Sequence, residues 1–249
     1  MDLLSKGRYR ARLAAGEGDV ARAQGLRHLA FRAARGLICE GGRDADEWDK
    51  RADHVLVEED SGALVACFRL MLLPGGAALG QSYAAARYDL SGLACQPGPM
   101  AEMGRFCLHP GQHDPDILRL AWGAATVLID RAGVGFLFGC MSFPGADPAR
   151  HRPALAHLAA RHLAPPDWRP GAGANVETLR LDDAGPAPDP RTGLSALPPL
   201  MRSYLAMGAR VGAQAVIDRD LDTLHVFTGL DVARVPAARA RALRAVAAI

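Results

Sequence analysis

The sequence predicts a mixed α/β fold in which a central sheet is flanked by helices. Segments with apolar residues at helical spacing alternate along the chain with short apolar runs that are typical of strands. One of these runs, residues 134–143, is almost wholly apolar, as expected of a central strand that is buried on both faces. With 49% hydrophobic and 22% charged residues, the 249-residue chain can bury a core of this kind.

The first hundred residues are predicted to contain one helix and one hairpin. Leu26, Leu29, Ala30 and Ala33 repeat at helical spacing, and the turn 58–62 separates two apolar runs. In chain order we expect a helix over 11–37, a polar loop over 40–48, paired strands over 54–57 and 63–73, and irregular chain over 74–99 with short strand elements near Tyr83 and at 88–90.

The remainder alternates strands and helices. Pro115 suits the first turn of a helix, and Gly208 suits the position after the end of one. In chain order we expect strand 101–108, helix 115–131, strand 134–143, helix 150–162, strand 176–181, loop 185–191, a helix from Pro198 to Gly208, strands 213–217 and 223–227, and helix 236–249. The prediction is a single domain over 1–249 with a C-terminal helical extension from about 232.

Composition excludes several classes of protein. A net charge of +2 is too balanced to indicate a nucleic-acid partner. The five cysteines form no CxxC pair and predict reduced thiols, with neither a disulfide framework nor a zinc site. The first eight residues lack the apolar core of a signal peptide, and no apolar run reaches the length of a membrane span. We therefore expect a cytoplasmic protein.

The first candidate cluster combines acids and aromatics. Asp44, Asp46, Trp48 and Asp49 follow the predicted helix that carries Arg27 and Phe31. Carboxylates grouped around an aromatic ring can hold a cationic amine. The alternative is a solvated acidic loop that Trp48 anchors to the core.

The second cluster lies on the predicted strand 101–108. On a regular strand Glu102 and Gly104 share one face, and Met103 and Arg105 share the other. Because an unpaired buried charge is costly, Glu102 is predicted either to pair with Arg69 on the preceding strand or to act as a general base.

The third cluster is the loop after that strand, which contains Cys107, Leu108 and His109. The loop lies between a strand and a helix N-terminus, where backbone N–H groups attract anions such as the phosphate of pantetheine. Pro110 and Gly111 prevent the helix that would bring His109 and His113 together, so no metal site is predicted.

Together these clusters resemble a known family. The motif order is Arg27-x3-Phe31, Asp44-x-Asp46-x2-Asp49, Cys67-Phe68-Arg69-Leu70 and Glu102-Met103-Gly104-Arg105-Phe106. This order resembles the acyl-homoserine lactone synthases, which have a GNAT-like acyltransferase fold. The Glu-Met-Gly-Arg strand followed by His109-Pro110, together with the segments 139–145, 197–200, 204–209 and 216–220, is more similar to the L-ornithine Nα-acyltransferases of ornithine-lipid synthesis.

The resemblance implies transfer of a 3-hydroxyacyl chain from acyl carrier protein to the α-amine of L-ornithine, giving lyso-ornithine lipid. No bound cofactor is expected, since the donor is the phosphopantetheine thioester of the carrier protein. After Pro110 the chain reads Gly-Gln-His-Asp-Pro-Asp-Ile, which lacks the acetyl-CoA-binding signature Q/R-x-x-G-x-G/A of typical GNAT enzymes.

The implied roles of the residues fall into three groups. Glu102 and Arg105 are the catalytic candidates, with Glu102 as the base. Backbone N–H groups of Cys107, Leu108 and His109 are expected at the oxyanion or donor phosphate, and a nucleophilic Cys107 is the rival interpretation. The substrate-binding candidates, with Arg69 or Arg105 for the acceptor carboxylate and Asp46 or Asp49 for its distal ammonium, are Arg27, Phe31, Asp46, Trp48, Asp49 and Arg69.

Several interpretations of partners stay open. Arg27 and the arginines at 22, 32 and 35 either face the acidic carrier protein or form an ordinary solvated helix face. The C-terminal helix either lies peripherally on the inner membrane or packs on the protein. An O-acyltransferase is the expected functional partner. The alternative functions are an acyl-homoserine lactone synthase and a non-catalytic GNAT-like binding subunit.

Overall fold

A computed structural model describes residues 1–37 and 40–247. Cys39, one of the predicted reduced thiols, and the last two residues of the predicted helix 236–249 lie outside this range. The described strands are β1 (Asp2–Lys6), β2 (Tyr9–Leu13), β3 (Asp53–Glu59), β4 (Leu64–Leu73), β5 (Tyr88–Asp89), β6 (Met100–Leu108), β7 (Phe136–Pro144), β8 (Gly171–Ala172), β9 (Thr178–Arg180), β10 (Arg210–Asp218) and β11 (Thr223–Asp231).

The described helices alternate with these strands. They are α1 (Glu17–Arg27), α2 (Pro115–Arg131), α3 (Arg152–Arg161), α4 (Pro190–Ser195), α5 (Pro199–Ala206) and α6 (Ala237–Ala247). A π-helical turn, His28–Arg32, continues α1 and ends in the 3₁₀ turn Ala33–Arg35. None of the helices within the described residues is long and apolar enough to cross a membrane.

The chain divides into two compact units. The first unit comprises Met1–Leu72, Met103–Val134 and Ala237–Ile249, and the second comprises Leu73–Glu102 and Gly135–Pro236. Strand β6 therefore contributes Met100–Glu102 to the second unit and the residues from Met103 onwards to the first. The prediction of a single domain with a C-terminal extension stays a prediction.

The first unit consists of a sheet and the three helices α1, α2 and α6. Its strands follow the order β1-β2-β3-β4-β6, and β1 to β4 pair antiparallel with their neighbours. Helix α2 buries nine residues of its apolar face and contacts β1, β2 and α6. A Cβ at Gly123 would lie 2.8 Å from Val246 and 3.0 Å from Leu4, so a glycine is needed where α2 meets α6 and β1.

The second unit is built around the pair β7–β11, in which nine residues of each strand are in antiparallel register. Strands β10 and β9 extend this ladder on one side. On the other side Met100–Glu102 of β6 pair in parallel with Phe136–Phe138 of β7. Strands β5 and β8 form a separate two-stranded ladder. In the core the ring of Phe138 stacks on that of Phe227, and the ring of Phe136 lies tilted against Phe138.

The hairpin β3–β4 and the bounds of α2 confirm the sequence predictions, but the predicted helix 11–37 begins too early. Residues Tyr9–Leu13 are strand β2, and β1 precedes them. Arg10 and Arg12 alternate with Ala11 and Leu13, a pattern that also suits a half-buried strand, and the long-range pairing with β3 decides the outcome.

Two further predictions are corrected. Tyr83 precedes the 3₁₀ turn Ala84–Ala86 and is not in a strand. The predicted loop 185–191 ends earlier, because Pro190 occupies the first turn of α4 and Asp189 caps that helix by accepting from the N–H groups of Arg191 and Thr192. Among residues 232–247, Val232–Arg234 form a 3₁₀ turn and Ala237–Ala247 form helix α6.

Candidate active site

A network of buried charges lies in the first unit, where α1 meets the loop before β3. Arg27 ends α1, and its side chain is 0% exposed. Its guanidinium donates to Asp44 at 3.0 Å and to Asp49 at 2.6 Å. Burial opposes the charge of both carboxyls, yet the arginines outweigh it, so the pKa values of Asp44 and Asp49 are lowered.

The strands supply two more arginines to this network. Arg69 of β4 donates to Asp46 and, at 2.8 Å, to Asp49. Arg105 of β6 contacts Asp44 at 3.1 Å and donates to Asp46 at 3.0 Å. Arg32 also donates to Asp44, at 3.1 Å. Four arginines thus face three aspartates, and each aspartate contacts at least two of the arginines.

The loop that carries the aspartates is fixed by its own hydrogen bonds. Asp46 and Asp49 form a capping box at the start of the 3₁₀ turn Glu47–Arg51. Gln24 donates to Asp49 at 2.9 Å. The ring nitrogen Nε2 of His54 lies 3.0 Å from the Asp49 carbonyl, and burial lowers the pKa of this histidine. The network therefore orders the loop 44–51 against α1 and the sheet.

Arg105 departs from the strand geometry that the sequence predicts. Its φ of 51° places it in the left-handed region, which a non-glycine residue adopts only at a steric cost. The simple alternation of faces along 102–105 is therefore wrong at Arg105, since a residue with this φ interrupts the pleat. With this backbone conformation, the guanidinium of Arg105 contacts Asp44 and Asp46.

Glu102 lies in the second unit, at the end of the parallel pairing between β6 and β7. The residue is 5% exposed. Its two carboxylate oxygens accept hydrogen bonds from the backbone N–H of Tyr83 at 2.8 Å and of Ala84 at 2.7 Å. The first amides of a 3₁₀ turn thus hold this carboxylate in one orientation, as a positioned proton acceptor requires.

The two aromatic candidates, Phe31 and Trp48, are half-buried. Phe31 packs against a small core cluster formed by Ala23, Leu26, Cys67 and Cys107. Trp48 is half-buried on the turn Glu47–Arg51. Their predicted contacts with substrate stay predictions.

The loop after β6 differs from its expected role. The N–H of His109 donates to the carbonyl of Val65 at 2.8 Å, so it is not available to an oxyanion. The Cys107 thiol is buried 3.6 Å from that of Cys67, and its contact with Cys67 together with burial raises its pKa well above the usual range. A buried thiol that resists ionisation is a poor nucleophile. The roles expected of the backbone amides of Cys107 and Leu108 stay predictions.

The N-terminus of α2, which follows this loop, carries acidic side chains. Asp114 caps the helix by accepting from the N–H of Asp116 at 2.9 Å. The Asp116 carboxylate in turn contacts Lys6 at 3.1 Å. Carboxylates at a helix N-terminus occupy the position that would otherwise attract a phosphate, which corrects the expectation of an anion site there.

Known proteins resemble this chain over nearly its whole length. Residues 26–123 match the family described as Acetyltransferase (GNAT) domain. The L-ornithine N(alpha)-acyltransferase of Rhodobacter capsulatus is 34% identical over 235 residues, which cover 90% of this chain and 90% of the relative. The chain belongs to the L-ornithine Nα-acyltransferase family. The enzyme of the same name from Agrobacterium fabrum is 33% identical over 92% of this chain and 83% of its own length.

A solved structure, that of FeeM, an N-acyl amino acid synthase from uncultured soil microbes, is 11% identical over 91% of this chain and 92% of its own, with a TM-score of 0.47. The family assignment confirms the predicted GNAT-like α/β fold and identifies the protein as an acyltransferase.

Within this member of the L-ornithine Nα-acyltransferase family, the surface role predicted for Arg27 is wrong. A fully buried side chain cannot face a carrier protein. Arg22, by contrast, is 40% exposed but donates to Glu58 at 2.6 Å. The sequence pattern grouped these arginines and aspartates but did not show their mutual contacts.

Sequence analysis also missed Arg87 and the small cavity beside it. A cavity of about 400 Å³ in the second unit is lined by residues on both sides of Arg87 in sequence, among them Gly80, Ala85 and Tyr88, and by Gly173 and Ala174. The only available signal was an arginine between three alanines and a tyrosine in a segment predicted to be irregular.

Proposed function

We propose that the chain transfers a 3-hydroxyacyl group from acyl carrier protein to the α-amine of L-ornithine and so makes lyso-ornithine lipid. The observation that carries this proposal is the buried carboxylate of Glu102, fixed by two backbone amides, in a chain whose relatives are named L-ornithine N(alpha)-acyltransferase. An amine acyltransferase needs one positioned proton acceptor, because the amine must lose its proton before it can attack.

The reaction requires only the reacting groups of the two substrates and the carboxylate of Glu102. Glu102, directly or through a water molecule, accepts a proton from the α-ammonium of the acceptor. The amine nitrogen then forms a bond to the thioester carbonyl carbon, and the C–S bond of the tetrahedral intermediate breaks. The leaving thiolate takes the second nitrogen proton. No covalent enzyme intermediate is required, since a thiolate is already a good leaving group.

The start of α2 supports a carrier-protein donor over free coenzyme A. Asp114 and Asp116 lie there, and the acetyl-CoA-binding signature is replaced by Gly-Gln-His-Asp-Pro-Asp-Ile. Asp114 already accepts the N–H of Asp116, and the Asp116 carboxylate occupies the nearby cations Lys6 and Arg119, so fewer donors are left for a pyrophosphate. The pantetheine arm of a carrier protein brings a single phosphate, and the contacts of the carrier protein itself supply further binding energy.

Purified protein tests the proposal directly. The protein is incubated with 3-hydroxyacyl carrier protein and L-ornithine, and N-acylornithine is measured by mass spectrometry; 3-hydroxyacyl-CoA replaces the carrier protein in a parallel reaction. We expect the carrier-protein reaction to be the faster one. S-adenosylmethionine replaces ornithine in a third reaction. Formation of acyl-homoserine lactone there, with no acylated ornithine in the first, would contradict the proposal.

A cellular experiment places the product in a pathway. A bacterial host without ornithine lipids expresses the chain alone or together with an O-acyltransferase. We expect lyso-ornithine lipid in the first strain and its diacyl form in the second. If acylated ornithine requires the second protein even in vitro, the non-catalytic subunit becomes the better interpretation.

A further inference from the structure

Arg87 lies on the turn that holds Glu102. The N–H groups of Tyr83 and Ala84 donate to the Glu102 carboxylate, and the N–H of Arg87 donates to the Ala84 carbonyl at 3.0 Å. Arg87 is the residue that follows the 3₁₀ turn Ala84–Ala86. One short turn therefore positions both the carboxylate of Glu102 and the base of the Arg87 side chain.

The backbone at Arg87 is held tightly on its other side. Tyr88, the next residue, pairs with Ala172 in the β5–β8 ladder, and its hydroxyl donates to the carbonyl of His225 at 2.8 Å. A Cβ at Gly173 would lie 2.4 Å from the Arg87 carbonyl oxygen. The close approach of these two backbones fixes the point from which the arginine side chain extends.

The guanidinium of Arg87 is a cation without a carboxylate partner. Its central carbon lies 5.3 Å from the centre of the Tyr83 ring. Within the described residues, no carboxylate lies within 4.0 Å of it, and its buried Nε has no hydrogen-bond acceptor. Burial opposes the charge of the guanidinium, but a hydrogen bond with the Tyr83 side chain and the field of Asp218 outweigh it and raise the pKa of Arg87. An unsatisfied buried N–H is costly, so this group has the properties of a site whose acceptor arrives with a ligand.

The arginines of the first unit differ in having carboxylate partners. Nη1 of Arg69 contacts Asp46 and Asp49, and Arg105 contacts Asp44 and Asp46. Their charges are already neutralised within the protein. Of the arginines considered for the acceptor, Arg87 is the one with no carboxylate within 4.0 Å among the described residues.

We propose that Arg87 binds the α-carboxylate of the amino-acid acceptor and thereby directs the α-amine to Glu102. The proposal rests on the proposed function, since it assumes an α-amino acid as acceptor. In ornithine the α-amine and the carboxylate share one carbon, whereas the distal amine is three methylenes further away. A carboxylate held beside the proton acceptor therefore selects the α-amine. Arg87 is a specificity-determining residue, and Arg69 and Arg105 are relieved of this role.

The test compares two acceptors in two proteins. L-ornithine and L-ornithinamide have the same amines, but the amide lacks the carboxylate charge. For Arg87→Gln we expect kcat/KM with ornithine to fall roughly 100-fold, mainly through KM, and kcat/KM with ornithinamide to change by less than about threefold. We also expect the fraction of product acylated on the distal amine to rise, as measured by tandem mass spectrometry.

Two further variants keep the test decisive. Arg219→Gln removes an exposed arginine that pairs with Glu177 in the same unit, and both acceptors should react as with the unaltered protein. Arg87→Lys retains the charge without the fork and should recover part of the ornithine activity, which also covers the case in which Arg87→Gln does not fold.

The outcomes separate the two proposals. If Arg87→Gln lowers the activity with both acceptors by the same factor and leaves the site of acylation unchanged, Arg87 is structural and the inference is overturned while the proposed function stands. If the unaltered protein acylates neither acceptor, the proposed function fails, and the inference fails with it.

Discussion

The two units use buried charge in opposite ways. In the first unit four arginines neutralise all three aspartates of the network within the protein. In the second unit backbone amides hold Glu102, and Arg87 has no carboxylate within 4.0 Å among the residues that the structure describes.

We infer from this difference that the ion-pair network of the first unit stabilises the fold, whereas Glu102 and Arg87 of the second unit take part in the reaction. Side chains that neutralise one another in ion pairs have little charge left for a ligand. Removing one member of such a network therefore lowers the stability of the protein. We assign substrate contacts to Glu102 and Arg87, so we expect their removal to affect catalysis and specificity. The following predictions, from the largest expected effect to the smallest, examine this contrast.

Breaking the closed network should produce the largest loss of stability. Arg27→Met preserves much of the side-chain volume but leaves Asp44 and Asp49 with one fewer partner in a buried site. We expect the free energy of unfolding to fall by about 3–5 kcal/mol, measured by urea denaturation. Arg244→Met is the matched control. Arg244 also donates two hydrogen bonds to carboxylate, both to Asp130, but at the surface, where the loss should be below about 1 kcal/mol. Equal losses would contradict the contrast.

Adding a methyl group at Gly173 of the second unit should change the KM for ornithine as well as the stability. In Gly173→Ala the new methyl group would meet the Arg87 carbonyl, at 2.4 Å. We expect a loss of about 1–3 kcal/mol of stability and an increased KM for ornithine, because the arginine is displaced. Gly80→Ala is the control: Gly80 lines the same cavity, but its Cβ would have no neighbour within 4 Å. An unchanged KM in Gly173→Ala would argue against a fixed position for Arg87.

Acid should weaken a second closed network of the first unit. Hydrogen bonds from Arg12, with smaller contributions from Arg22 and Arg10, lower the pKa of Glu58 to about 2, against the opposing effect of burial. Because the folded-state pKa is depressed, the stabilisation is fully present above the unfolded value, near 4.5, and is lost as pH falls towards about 2.

We therefore expect the protein to lose about 1–2 kcal/mol through this group between roughly pH 5 and pH 2, after allowance for screening of the exposed arginines. The measurement is urea denaturation at a series of pH values, with Glu58→Gln as the comparison, in which this part of the pH dependence should disappear. Parallel pH curves for the two proteins would contradict the assignment.

Much of the fold could be predicted because local signals and long-range pairing agree. Helix α2 has its predicted bounds, since Pro115 fixes its first turn and its apolar face is continuous. Residues Tyr9–Leu13 were predicted wrongly because alternating arginine and alanine satisfy both helix and strand, and only pairing with β3 distinguishes them.

The candidate site was predictable in its composition but not in its contacts. Motif order identified Glu102 and the arginines and aspartates of the first unit. The positive φ of Arg105 and the burial of Arg27 depend on three-dimensional packing. The importance of Arg87 depends on the turn Ala84–Ala86 and on the approach of Gly173, which are separated in sequence by nearly ninety residues.

The central claim is that the carboxylate of Glu102 accepts the proton of the attacking amine. The most direct measurement is the single-turnover rate of acyl transfer from 3-hydroxyacyl carrier protein to ornithine by Glu102→Gln, with Glu177→Gln, an exposed residue of the same unit, as control and with unfolding curves for both. The account predicts a rate reduced roughly 10²- to 10⁴-fold in a folded protein and an unchanged control. A folded Glu102→Gln that transfers the acyl chain within about fivefold of the original rate would contradict it.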